Sequence, residues 1–84
     1  MIHLIYLARL RDAFGTREER VELPRDVSTV ASLLIWLGGR GGNWAHELAP
    51  GRAVRVAVNH DVARDTTPVK AGDEVALFPP VTGG

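Results

Sequence analysis

Ser28-Thr29-Val30-Ala31-Ser32-Leu33-Leu34-Ile35-Trp36-Leu37-Gly38-Gly39 is the stretch on which the fold turns. Val30, Leu33, Leu34 and Leu37 recur at i, i+3, i+4 and i+7, which lays an apolar stripe along one side of an α-helix. Ser28 or Thr29 can cap its first turn with a side-chain oxygen, and Gly38 and Gly39 stop it. On either side of this helix the period drops to two, as strands require. Upstream, residues 1–7 are almost continuously apolar, which suits a central strand covered on at least part of both faces. Residues 8–14 carry Arg9, Arg11 and Asp12 and close on Gly15, which can take the left-handed conformation that ends a helical turn. Residues 16–23 then alternate, with Glu19, Val21 and Leu23 on one side and Glu18, Arg20 and Glu22 on the other. They read as a hairpin partner of the first strand, closed by Pro24.

Downstream, residues 38–52 are rich in glycine and polar residues and predict a surface connection, with a short helical turn at residues 43–48. Residues 53–59 form a second clear strand, with Val54, Val56 and Val58 facing one way and Arg55, Ala57 and Asn59 the other. A short pairing segment follows near Val62. Residues 70–73 make a turn around Gly72, and residues 74–78 form the last strand, stopped by Pro79 and Pro80. This order predicts an α+β fold of the β-grasp, ubiquitin-like kind. It is a mixed sheet of four to five strands with one main helix on one face and its first and last strands parallel neighbours. Residues 1–78 form the domain, and residues 79–84 form an extended tail.

Composition narrows the function. An 84-residue chain supports one core, and 45% hydrophobic with 24% charged residues is ordinary for a globular domain. Ten basic against ten acidic side chains leave no field to hold a polyphosphate backbone or an anionic membrane, so neither nucleic acid nor membrane is an expected partner. The absence of cysteine excludes disulfides and thiolate chemistry of the chain's own; any sulfur it handles comes from elsewhere. No run approaches the roughly 20 apolar residues of a bilayer span, and the first strand lacks a basic leader. A cytoplasmic location is the expectation.

Several constellations that suggest chemistry have plainer readings. His3, His46 and His60 have no carboxylate at ligand spacing, so no metal is expected. Gly38-Gly39-Arg40-Gly41-Gly42 trails a helix instead of preceding one and reads as a loop, not a phosphate cradle. Asp73 and Glu74 are adjacent on a strand and face opposite ways, as a turn and an exposed strand start. Ser28 and Ser32 lack a histidine and acid arrangement, so the chain is no autonomous hydrolase. Arg9 and Arg11 suit a partner's acid or the capping and solvation of the first loop equally well.

One helix covers one face of a sheet. If Ile2, Leu4, Tyr6, Val54, Val56, Val58, Val75 and Leu77 meet it, alternation places Ile5, Leu7, Ala57, Ala76 and Phe78 on the open face as a docking patch. The ending Phe78-Pro79-Pro80-Val81-Thr82-Gly83-Gly84 is the most informative segment. Pro79 and Pro80 favour a stiff, extended exit. Gly83 and Gly84 remove side-chain bulk, so that a backbone carboxylate can pass through a narrow channel. From Phe78 to Gly84 the reach is at most roughly 20 Å.

This ending, together with Gly72-Asp73-Glu74-Val75-Ala76-Leu77, resembles the small, sulfur-carrying subunits of molybdopterin synthase. The opening Leu4-Ile5-Tyr6-Leu7-Ala8-Arg9-Leu10-Arg11-Asp12-Ala13-Phe14-Gly15 and Val56-Ala57-Val58-Asn59 are similar to the same family, whereas residues 38–52 are not diagnostic. The resemblance implies that an ATP-dependent activating enzyme adenylates Gly84, that sulfur from a donor system replaces the adenylate as a thiocarboxylate, and that the tail then enters the large subunit. That subunit would hold the active site where sulfur passes to a cyclic pterin precursor. This chain would bind no cofactor itself, ATP serving the activating enzyme, and would be a non-autonomous part of a hetero-oligomer. On the family's match Leu7, Val62 and Phe78 are apolar contacts for both partners, Leu7 standing where a larger aromatic is frequent; Ile5 and Arg11 complete the expected interface. Carriers for thiazole, cysteine or tRNA thiolation, and a plain ubiquitin-like interaction module, are the alternatives.

Overall fold

The computed structural model describes residues 1–80. Its strands are β1 (Ile2–Tyr6), β2 (Glu18–Val21), β3 (Arg55–Val58), β4 (Asp61–Val62) and β5 (Glu74–Phe78), and its helices α1 (Arg9–Phe14), α2 (Val30–Gly38) and α3 (Gly42–Glu47). The sheet order is β2-β1-β5-β3-β4. β1 and β5 are parallel, and every other neighbouring pair is antiparallel. This mixed five-stranded sheet under packed helices is the β-grasp arrangement that the sequence predicts.

Thr29 is the residue that caps α2. Its Oγ1 accepts from Ser32 N at 3.2 Å while Ser32 Oγ accepts from Thr29 N at 3.0 Å, a reciprocal box that satisfies two first-turn donors. Val30 N and Ala31 N donate to the carbonyls of Thr67 and Asp65, which ties the loop before β5 to the start of the helix. Val30, Leu33 and Leu37 are buried against Ile2, Leu4, Tyr6, Val56, Val75 and Leu77. Leu34 differs from the sequence reading: it is only partly buried, at the margin of the core. The helix axis turns the stripe toward Leu33, so Leu34 faces α3 and Ala49 across a surface groove.

The segment before β3 is more than a surface connection. In α3, Trp44 stacks on Phe14 of α1 with ring centroids 3.8 Å apart and meets Tyr6 edge-on at 5.3 Å. Arg40 lies 4.4 Å over the same indole, a cation–π geometry. Arg40 also donates two hydrogen bonds to Glu19 of β2, at 2.8 and 3.1 Å, and the Tyr6 hydroxyl donates to Glu19 at 2.7 Å. Burial, then the Glu19 hydrogen bond and charge, push the Tyr6 hydroxyl well above its usual pKa. The Arg40 hydrogen bonds hold the Glu19 carboxyl below its usual range. A carboxyl lowered in the folded state contributes stability above its unfolded pKa, and this is lost as pH falls through the folded value. Glu19→Gln is therefore expected to be less stable than wild type from about pH 5 upward and to converge with it toward pH 2. Thermal midpoints across that range check it; a constant gap would remove the ionic contribution.

The turn between β3 and β4 places Asn59 and His60 at positive φ, 50° and 74°, the two central positions of the tight hairpin that asparagine favours. The second strand is correspondingly shorter than residues 53–59. Asp73, in the turn that the sequence predicts before β5, is buried: its carboxylate accepts from Lys70 N at 2.9 Å and Asn59 Nδ2 at 3.0 Å, bracing that turn against the one between β3 and β4.

Candidate functional site

The registers assemble a transverse row on the face away from the helices. Ile5 pairs with Ala76, Ala76 with Ala57, and Ala57 with Val62, so one apolar line crosses β1, β5, β3 and β4. Continuing the β1–β5 register by one residue sets Leu7 beside Phe78; Leu7 N donates to Leu77 O at 3.0 Å. Leu7 is 45% and Val62 73% exposed, so both stand open to solvent. The row's other border is polar: His3 lies 2.9 Å from Glu18 and 3.9 Å from Glu74, and His60 lies 3.2 Å from Glu74. Apolar centre and charged rim match the anatomy of a docking surface.

Four of the predicted interface residues, Ile5, Leu7, Val62 and Phe78, thus share one face. Arg11 does not join them. It sits exposed on α1, 3.9 Å from Asp12, beside a shallow depression with Gly15, Thr16 and Arg17. Phe78→Ala is expected to weaken partner binding by about 1–3 kcal/mol with little loss of fold, since a central aromatic carries such a share. Calorimetric titration against the large subunit that the sequence resemblance implies checks it, and unchanged affinity would remove Phe78 from the interface.

β5, the middle strand, delivers the tail. Pro79 and Pro80 follow it and are half-buried beside Arg9, Gly51, Arg52 and Ala53. Val81, Thr82, Gly83 and Gly84 lie outside the described residues. At this root the structure adds a residue that sequence reading missed. Glu47 of α3 is buried, and its Oε1 takes Arg9 Nε at 3.4 Å and Arg52 Nη2 at 3.2 Å. The signal was present in the spacing: Trp44 and Leu48 form an i, i+4 apolar pair, with Glu47 on the same side of the helix. Arg9 is aimed by a strained residue, Ala8, at φ 52° and ψ −130°, in a turn closed by Leu10 N donating to Leu7 O. Such a conformation costs a non-glycine residue about 1–3 kcal/mol.

Among the described residues no group of three or more His, Cys, Asp or Glu is placed to hold a metal ion, and no helix is long and apolar enough to cross a membrane.

A β-grasp sheet whose middle strand runs out through two prolines places the molecule among the ubiquitin-like proteins. The chain belongs to the ThiS family, whose model matches residues 4–84. It is 37% identical over 84 residues to the molybdopterin synthase sulfur carrier subunit of Escherichia coli K12, with 100% of both chains covered. Among solved structures it resembles the putative molybdopterin converting factor, subunit 1, of Pyrococcus furiosus, at 28% identity and a TM-score of 0.77, covering 95% of this chain and 97% of that one. It also resembles small archaeal modifier protein 1 of Haloferax volcanii, at 31% identity and a TM-score of 0.71, with 95% and 97% covered.

Proposed function

We propose that this chain is a cytoplasmic sulfur carrier, the small subunit of a molybdopterin synthase, and that the carboxylate of Gly84 is the reacting group. The observation that carries the reading is the family match running through Gly84, on a chain whose tail is launched by Pro79 and Pro80 from the middle of the sheet. A carboxylate is a poor electrophile until one oxygen becomes a good leaving group. In this reading a Gly84 oxygen attacks the α-phosphorus of ATP on the activating enzyme, and pyrophosphate leaves. A sulfur nucleophile from a donor system then displaces AMP to form a thiocarboxylate. The large subunit receives the tail and supplies the site where this sulfur is transferred to the cyclic pterin precursor.

The chain's own residues have three tasks in this scheme. Ile5, Leu7, Val62 and Phe78 dock each partner in turn, Pro79 and Pro80 stiffen the exit from the sheet, and Gly83 gives clearance. Intact mass after incubation with the activating enzyme, ATP and a sulfur donor tests the reading. The oxygen-to-sulfur increase is expected, and its absence with no conjugate formed would leave only an interaction module. The likeness to a small archaeal modifier protein favours one further reading, in which the activated end is joined to another protein's amine. A conjugate whose mass is that of the two proteins less one water, in place of the thiocarboxylate, would establish it.

A further inference from the structure

The root of the tail carries more positive charge than the fold has used. Arg9 and Arg52 share the single buried carboxylate of Glu47, through one of its oxygens, and among the described residues neither arginine has another acidic partner. Two guanidiniums against one carboxylate leave a net charge of +1 at that spot. The arginine side chains are 53% and 38% exposed, so the donors not engaged by Glu47 face solvent. Both line one depression, together with Gly51, Ala53, Pro79 and Pro80. Arginine's planar fork suits a carboxylate bidentately.

The placement is set by the fold. Glu47 is anchored in α3 next to the packed Trp44, Ala8 holds a strained turn that aims Arg9, and the two prolines have fixed φ. Along the chain the depression adjoins the apolar face: Ala8 alone separates Arg9 from Leu7, and Phe78 immediately precedes Pro79. A protein that covers Leu7 and Phe78 and takes in the tail therefore sets its own rim over Arg9 and Arg52.

We propose that Arg9 and Arg52 form a clamp for an acidic side chain on the rim of the pocket that receives the tail. The proposal rests on the reading of the tail given above. Glu47 keeps the two arginines apart and aligned while the third carboxylate, from the partner, completes the charge balance. The clamp acts on encounter: it steers the tail root toward a complementary rim before the apolar face is desolvated, and it sets the rotational register in which the tail meets its channel.

Association with the large subunit of molybdopterin synthase, followed by stopped flow at increasing salt, tests this. Two variants are compared with wild type: Arg9→Gln with Arg52→Gln, and the same pair with Glu47→Gln, which removes the buried charge along with its partners and so protects the fold. Both are expected to associate about tenfold more slowly at low salt and to lose most of the salt dependence, as steered encounters do when steering is removed. Wild type shortened after Pro80 is expected to keep its salt dependence, because the clamp lies before the tail. A folded triple variant with wild-type rate and wild-type salt dependence would overturn the clamp alone, provided wild type binds and delivers sulfur. Wild type that neither binds the large subunit nor delivers sulfur would overturn the reading of the tail and the clamp with it.

Discussion

Adding one residue after Gly84, or removing Gly84, is expected to abolish sulfur delivery while leaving the thermal midpoint unchanged. An added residue converts the Gly84 carboxylate into an unreactive amide and carries the only remaining α-carboxylate about 3.3–3.6 Å beyond its position. Deletion retracts the carboxylate by the same distance. Misplacement by about 1 Å already costs two orders of magnitude in rate when a reacting group must be held in line, so neither change is tolerable in a channel built for a fixed reach. Stability should not respond, because the core is formed by residues 2–77 and the tail lies beyond it. The assay compares the three proteins for thiocarboxylate mass, precursor conversion and unfolding temperature. Normal delivery by the extended protein, with its extra residue still present by mass, would end the carrier reading.

Leu33→Ala carries the largest expected effect on stability, about 2–5 kcal/mol, because Leu33 is fully buried at the centre of the helix-to-sheet contact and its removal leaves a cavity. An 84-residue domain has roughly 4–13 kcal/mol in hand at about 0.05–0.15 kcal/mol per residue. The variant should therefore lose a large fraction of it and melt at least about 8 °C lower. Leu34→Ala, one position on, should cost clearly less, since Leu34 is only partly buried and borders a groove already open to water. Denaturant unfolding of both variants checks the ranking. Equal losses would mean that the stripe on α2 is centred between the two residues and not on Leu33.

That pair shows how far periodicity reaches. Period two placed Ile2, Leu4, Tyr6, Val56, Val75 and Leu77 on the covered face, because a strand's alternation is fixed by its pleat and both ends of each strand were punctuated. The 3.6 period located α2 but not the rotation of its stripe, since Leu33 and Leu34 both satisfy it and only packing against a particular sheet decides between them. The tail's prolines and glycines were legible because their effect is local. Pairings between distant, short elements were not: nothing in the spacing of Arg9, Glu47 and Arg52 announces that the loop before β3 returns to the start of α1. The Asn59-His60 turn was hidden by its second residue, where glycine would have been the signal. Asp73 read only as a turn residue, and its burial was hidden because its partners, the Lys70 amide and Asn59, come from two separate turns.

The side-by-side, parallel placement of the first and last strands has a consequence for synthesis. Strand β1 is made first, yet both of its neighbours are needed to close the sheet, and one of them is residues 74–78. Parallel pairing across nearly the whole chain makes this a fold of high contact order, in which the slow step waits on distant segments. A nascent chain stalled in the loop before β5 has no middle strand, so it stays open and is exposed to proteases. The apolar row across the sheet is consequently complete only when β5, the strand that leads into the tail, is already in place. A copy that lacks residues 74–78 lacks both that row and the sheet that displays it.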